Sequence, residues 1–182
     1  MCQGCQNKVV ERAAYRVDHV GSFLRPKELV EAREKFSKGE LSQEELTKVE
    51  DKVITELVEK QIANGLKGVT DGEFRRAYWH LDFFWGLNGI EHVQGEKGYP
   101  FKGIETKPDT AKVSGKISGE NHPFVAHYKF LRDLVADKKD VTVKLTIPSP
   151  SQLYFELIRT EDHIKGYEKF YPTFEELKDA IV

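Results

Sequence analysis

Residues 68–84 read GVTDGEFRRAYWHLDFF, and the fold turns on how this stretch is parsed. Gly68-Val69-Thr70 is a short apolar run, bounded as a buried strand is. Asp71-Gly72 ends it, because glycine supplies backbone angles through which a strand cannot continue. Directly after the break stand Glu73, Arg75, Arg76, His80 and Asp82, interleaved with Phe74, Tyr78, Trp79 and Phe83. This mixture suits neither a plain surface loop, where exposed rings are unfavourable, nor a packed core, where unpaired charge is costly. Two readings are open: a salt-bridged loop capped by aromatics, or a ligand site at the C-terminal end of a strand, where α/β sheets place their chemistry.

Upstream, residues 16–20 read as a short strand ending at Gly21-Ser22. Pro26 suits the first position of a helix, where its missing N–H is not needed, and Leu29, Val30 and Phe36 give that helix an apolar stripe up to Gly39. Ser42-x-x-Glu45 is a capping box. Leu46, Val49, Val53, Leu57, Val58 and Ile62 then recur at helical spacing until Asn64-Gly65. Strand, two helices, strand is a parallel crossover.

Downstream, residues 85–110 carry Gly86, Gly89, Gly95, Gly98 and Gly103 and no helical period. They read as a long excursion with room for a hairpin, of the kind that often serves as a lid. Residues 111–117 read as a strand, and Pro123 opens a helix bearing Phe124, Tyr128, Leu131 and Val135. Val141, Val143, Leu145 and Ile147 alternate with Thr142, Lys144 and Thr146, the clearest strand of the chain. Pro148-Ser149-Pro150-Ser151 stops it, a short helix with Leu153 and Leu157 follows, and Thr173-x-x-Glu176 caps a helix that runs to the last residue. Such alternation predicts an α/β fold with a parallel sheet covered by helices. The unfinished last helix favours the first half, about four β/α units, of a (β/α)8 TIM-type barrel. The expected organisation is a disordered tail over 1–15 and a partial barrel over 16–182.

Composition sets the outer limits. With 39% hydrophobic and 32% charged residues among 182, the chain reads as a soluble domain large enough to bury a core. Lysine plus arginine number 28 against 30 acids, so the basic excess of a nucleic-acid binder is missing. No stretch is apolar enough to span a membrane, the N-terminus lacks a signal-like core, and the cytoplasm is the expected location. There is no G-x-G-x-x-G or phosphate-loop signature. Cys2 and Cys5 form a lone C-x-x-C without a second ligand pair, so no metal site is expected in this chain.

In a barrel, residues 19–22, 71–76 and 146–151 all follow strand ends and meet on one face. Ser22 and the amides around Gly21 can hold a carboxylate, and Glu73 an amine. Arg75, Arg76, His80 and Asp82 offer charge pairing or proton transfer, with His80 and Asp82 the candidate catalytic pair. Against this, Arg76 with Asp82 can be a structural ion pair, and lone histidines such as His80 and His19 are more often structural. His92, His122, His127 and His163 read as surface or helix residues, and His122 with His127 misses the i, i+4 zinc spacing.

HVGSFLRP at 19–26, GVTDGEFRR at 68–76 and KLTIPSPSQLYF at 144–155 together resemble the cobalamin-independent methionine synthase family, more narrowly its short single-barrel members. The resemblance spans most of 16–182. It implies a (β/α)8 barrel that moves a methyl group from a methyltetrahydrofolate-type donor to the sulfur of homocysteine, with zinc activating the thiolate. The family's Ile-Gly-Ser loop, which contacts homocysteine, falls on Val20, Gly21 and Ser22, beside His19. Its amine-contacting glutamate falls on Glu73, and its folate-stacking tryptophan on Tyr154. The zinc ligands of that family lie in the second half of its barrel, and no cysteine follows residue 5 here. The resemblance therefore implies a first half that supplies amino-acid-binding loops, partnered as a homodimer or by a complementary half. Two other readings compete: a metal-free decarboxylase-like barrel whose Arg75 and Arg76 hold substrate carboxylates, and a non-catalytic dimeric binding module.

Overall fold

A computed structural model of the chain describes residues 17–95, 98, 102–103, 106–159 and 165–182. The expected tail over 1–15, with Cys2 and Cys5, lies outside these residues, as does His163.

Helix α1 spans Lys27–Ser37 with Pro26 as its N-cap, one position earlier than the sequence reading, and buries Leu29 and Ala32. Helix α2 spans Gln43–Ala63 and opens with the full capping box: Ser42 accepts from the Glu45 amide, and the Glu45 side chain reaches back to the Ser42 amide. Its buried stripe includes Val53, Ile54 and Val58, but also the polar Glu50 and Gln61. Strand β1, Gly68–Val69, ends where Gln61 takes over as a surrogate partner. The Gln61 Nε2 donates to the Thr70 carbonyl at 2.8 Å, and the Thr70 amide donates to Gln61 Oε1 at 3.0 Å.

After helix α3, Leu81–Phe84, the chain makes a hairpin of β2, Asn88–Gln94, and β3, Asp109–Ser118, in antiparallel register with Ile90 opposite Val113. Helix α4, Pro123–Leu134, leads to β4, Thr142–Val143, which pairs in parallel with β1, Gly68 against Thr142. Helix α5, Pro150–Ile158, a 3-10 turn over Tyr167–Lys169 and helix α6, Phe174–Ile181, complete the described elements.

The sheet differs from the four-strand parallel arrangement read from sequence. Among the described residues there are two two-stranded sheets, β1 with β4 and β2 with β3. The strand expected over 16–20 is not formed across its described part: Val17 and Val20 are exposed and no ladder bonds are made there. The strand expected over 111–117 exists, but its partner is the excursion itself, so β2 and β3 form an insertion between the parallel strands β1 and β4. Of residues 141–147 only Thr142 and Val143 pair, and Ile147 is 61% exposed.

Two apolar clusters follow from this layout. One joins Leu29, Val53, Ile54, Val69, Phe74 and Leu131 between α1, α2, β1 and α4. The other joins Leu81, Phe84, Val113, Leu153, Leu157 and Leu177 beneath the hairpin. The mixed α/β fold is therefore built as a parallel pair with its helices, carrying a hairpin and two further helices. No helix among the described residues is long and apolar enough to cross a membrane.

Candidate active site

Glu73 is the centre of the site because its backbone is unusual. Its φ is +57°, in the left-handed region that a non-glycine residue enters at a cost of about 1–2 kcal/mol. Gly72 before it also has positive φ, and a Cβ there would run into Leu57 Cδ2, so the sharp turn requires glycine at that position. Asp71 is buried and its Oδ1 accepts the Glu73 amide at 2.9 Å; burial pushes the Asp71 carboxyl above the usual carboxylate range. The turn thus lifts the Glu73 side chain off the end of β1.

Strand β4 and its continuation hold that side chain from the far side. Thr146 Oγ1 donates to Glu73 Oε1 at 2.9 Å and accepts from Arg76 Nη1 at 3.2 Å, while Arg76 Nη2 donates to the Thr146 carbonyl. Arg76 also lies 3.6 Å from Glu73 Oε1 and packs over the Phe124 ring. Oε1 is thereby occupied, and Oε2 has no recorded partner among the described residues. Two positions earlier, Lys144 Nζ binds the Asp18 carboxylate at 2.7 Å and the His19 carbonyl, which anchors the 18–22 loop. That ion pair holds the Asp18 carboxyl below its ordinary range. The Phe23 amide donates to the Gly72 carbonyl at 3.2 Å. The loops at 18–23 and 71–76 and residues 144–146 therefore meet; of the stretch 146–151 read from the sequence, Thr146 makes this contact.

Not every expected residue joins them. His19 stacks on Phe23, with 3.7 Å between ring centroids, and its Nε2 is 3.0 Å from the Gly21 carbonyl, while Val20 and Ser22 are exposed and Gly21 has φ +88°. Arg75 turns away from Glu73 toward α2, where it binds Glu50 at 3.3 Å and Asp51, beneath the Phe130 ring. Asp82 accepts the Ala77 and Tyr78 amides at 3.2 and 2.7 Å and so caps the turn before α3; its bonds go to backbone, and the expected pairing with Arg76 is not made among the described residues. His80 is buried behind Trp79 and Phe84, 3.8 Å from the buried Glu156 carboxylate, and is not among the residues that meet Glu73. Tyr154 lies on α5 beside Phe174 and lines a separate cleft with Pro150, Ser151 and Lys178.

A groove of about 610 Å³ lies alongside, bordered by Arg25, Arg33, Glu50, Arg75, Asp82 and His127, among others. Burial drives the Glu50 carboxyl above its usual range even though Arg33 and Arg75 both touch it. Burial also drives the His127 imidazole down to about 4, helped by Arg75 and Arg76. His122, read as a surface or helix residue, is buried at the start of α4. Its Nδ1 accepts the Phe124 amide as the α4 N-cap, and its Nε2 is 2.9 Å from the Phe83 carbonyl.

Sequence reasoning missed Thr146 and Lys144 as site residues. The signal was present: both belong to the polar face of the period-two pattern over 141–147, on a strand whose end was already placed at the site. Arg25 and Arg33 left no such signal.

No family model matches the chain. It is 43% identical over 152 residues to the uncharacterized protein YxjH of Bacillus subtilis (strain 168), covering 84% of this chain and 40% of that protein. It is 40% identical over 161 residues to the uncharacterized protein YxjG of the same organism, covering 88% of this chain and 42% of that protein. The chain thus spans about two fifths of the length of the curated relatives it matches. Among solved structures it is similar to a Listeria monocytogenes protein provisionally described as a vitamin-B12 independent methionine synthase, with TM-score 0.64 and 42% identity over 80% of this chain and 40% of that one. It is also similar to a B12-independent methionine synthase from Shewanella sp. W3-18-1 in complex with selenomethionine, with TM-score 0.52 and 25% identity over 71% of this chain and 36% of that one. Its structural neighbours are thus of the B12-independent methionine synthase type.

Proposed function

We propose that the chain is the amino-acid-binding part of a methionine-synthase-like methyltransferase, acting in the cytoplasm in methionine biosynthesis. The reaction is transfer of a methyl group from a methyltetrahydrofolate-type donor to the thiol of homocysteine. In the same proposal the chain forms the first half of a (β/α)8 barrel, completed by a second copy or a complementary half. The observation that carries the reading is Glu73: a carboxylate held in a costly backbone conformation with one oxygen fixed by Thr146, in a chain 42% identical to such a structural neighbour.

In this reading the Gly21 and Ser22 amides take the carboxylate of the amino acid, and the free oxygen of Glu73 takes its ammonium group. Thr146 and Arg76 fix the other oxygen, so the carboxylate is oriented before the ligand arrives. Tyr154 lies in its own cleft, which separates a donor-stacking role from the Glu73 cluster. Zinc, which the resemblance implies for the complete enzyme, is given no ligands among the described residues. No group of three or more His, Cys, Asp or Glu among the described residues is arranged to hold a metal ion. No step is therefore assigned through it.

The decarboxylase-like alternative loses its main support, because Arg75 is engaged by Glu50 and Asp51, and Arg76 by Thr146 and Glu73. The test of the proposal is Glu73→Gln, read by calorimetric titration with L-homocysteine and by thermal melting. Affinity falls about tenfold to a hundredfold, as loss of a charge-assisted bond requires. Unchanged affinity with a lowered melting temperature would make Glu73 a structural partner of Arg76 and end the reading.

A further inference from the structure

Four carbonyls of the turn that carries Glu73 accept from one segment of the chain, and the Glu73 carbonyl also accepts the Arg76 amide of the turn itself at 3.1 Å. The Gly72 carbonyl accepts from the Phe23 amide at 3.2 Å. The Glu73 and Arg76 carbonyls both accept from Arg25 Nη2, at 3.1 and 2.7 Å. The Phe74 carbonyl accepts from Arg33 Nη2, whose guanidinium is itself held by Glu50 at 2.9 Å. Residues 23–33 therefore grip the outer side of the turn, while Asp71 and Thr146 hold its inner side.

Arg25 differs from the other arginines here. Arg33, Arg75 and Arg76 each have a carboxylate partner, whereas Arg25 makes no ion pair among the described residues and directs its charge at two carbonyls. The first of those carbonyls belongs to the left-handed residue and the second lies three residues beyond it, so straightening Glu73 would carry its carbonyl away from Arg25. The same side chain lies just past the 20–22 loop in sequence. It thus fixes the two loops relative to each other.

We infer that Arg25 is a positioning residue that holds Glu73 in its left-handed conformation and so sets the spacing between the carboxylate-binding loop and the amine-binding carboxylate. This rests on the function proposed above for Glu73. Both bonds come from one terminal nitrogen at the end of a long cation, so a lysine ammonium can make them in part and a methionine side chain can make neither. In the proposed reading an α-amino acid spans that spacing with its carboxylate and ammonium groups, so ligands carrying both groups depend on Arg25 and ligands lacking the amine do not.

The test uses the 182-residue chain with Arg25→Met and Arg25→Lys, and two readouts. The first is the set of backbone carbon shifts of Glu73 by NMR, which report the sign of φ. The second is affinity for L-methionine and for its amine-free analogue 4-(methylthio)butanoate by calorimetry. In the parent chain methionine binds about tenfold more tightly than the analogue, the size expected of one charge-assisted bond. Arg25→Met moves the Glu73 shifts to right-handed or extended values and brings the ratio close to one, with analogue affinity within about twofold of the parent. Arg25→Lys restores part of the ratio, and it carries both readouts should the methionine variant fail to fold. Glu73 shifts and a ligand ratio that both persist in the variants overturn the inference, as does an equal loss for both ligands. A parent ratio of one refutes the amine reading of Glu73. The shifts then decide the clamp alone, and left-handed values retained in Arg25→Met overturn it.

Discussion

The β1–β4 half and the hairpin half bury apolar side chains of the same kinds, but they use buried polar groups differently. Around β1, Glu50, Asp71, Glu73 and Arg76 are buried, and their bonds, with those of Arg25 and Arg33, gather on the one turn at 71–76. Around the hairpin, the buried polar groups join one element to another. Thr110 of β3 donates to Glu156 of α5, and Asp109 accepts from the Tyr78 hydroxyl at 2.6 Å and lies 2.7 Å from His92 Nε2. The contrast teaches that buried charge in one half shapes a single backbone conformation, and in the other fastens an inserted hairpin to its support.

The largest test of that contrast is in the two clusters. Phe74→Ala and Phe84→Ala each empty a site that is 1% exposed, and each destabilises by about 3–5 kcal/mol. Urea unfolding followed by far-UV dichroism and by tryptophan emission gives coincident transitions if the halves unfold together. An early transition seen only by fluorescence in Phe84→Ala would show that the hairpin half melts by itself.

Glu50→Gln comes next. It leaves Arg33 and Arg75 without their shared carboxylate, and removing one member of a buried ionic cluster costs about 3 kcal/mol. Glu156→Gln in the other half keeps an acceptor for Thr110 and gives up the longer 3.5 Å pair with the more exposed Arg159, so it costs less, about 1–2 kcal/mol. Equal losses in denaturation midpoints would break the comparison.

The smallest test is pH. The His127 imidazole, beside the groove, is depressed to about 4 from 6.5, so the unfolded chain binds the proton more readily. The stability this contributes is present above pH 6.5 and is lost as pH falls toward 4. Because His127 is only partly buried, the loss is about 1–2 kcal/mol after allowance for solvent screening. His127→Gln flattens the stability profile over that window. In the hairpin half, the Tyr78 hydroxyl, with His92, holds the Asp109 carboxyl below its usual range, so its contribution is present above pH 3.8 and is lost only as pH falls below that. Asp109→Asn flattens the lower window and leaves the upper one intact. Exchange of these two windows between the variants would refute the assignment of each group to its half.

Local chemistry made much of this legible. The Ser42–Glu45 box and the glycine at position 72 each act within a few residues and appear in the structure, while of the alternation over 141–147 only Thr142–Val143 forms a strand. What the pattern could not give was partnership. Residues 111–117 carry a correct strand signal, yet period-two alternation does not say whether the neighbour is parallel and distant or antiparallel and nearby. The left-handed Glu73 was illegible because glutamate has no intrinsic preference for that region; it is imposed by Arg25 and Asp71 from outside. The capping role of His122 was not legible, because the residues commonly expected to cap a helix are Ser, Thr, Asp and Asn. Arg75 and Arg76 are adjacent and chemically identical, and only packing sends one to α2 and the other to Thr146.

The chain has only two tryptophans, and the hairpin gives them different optical surroundings. Trp85 donates its indole N–H to the Thr110 carbonyl and stacks on His92 with 3.9 Å between ring centroids, whereas Trp79 is 53% exposed. Iodide in solution therefore quenches Trp79 first, and the emission that survives comes from Trp85. A Trp79→Phe chain becomes a single-tryptophan reporter whose signal tells, during unfolding, whether β3 still sits on its support, with no dye attached.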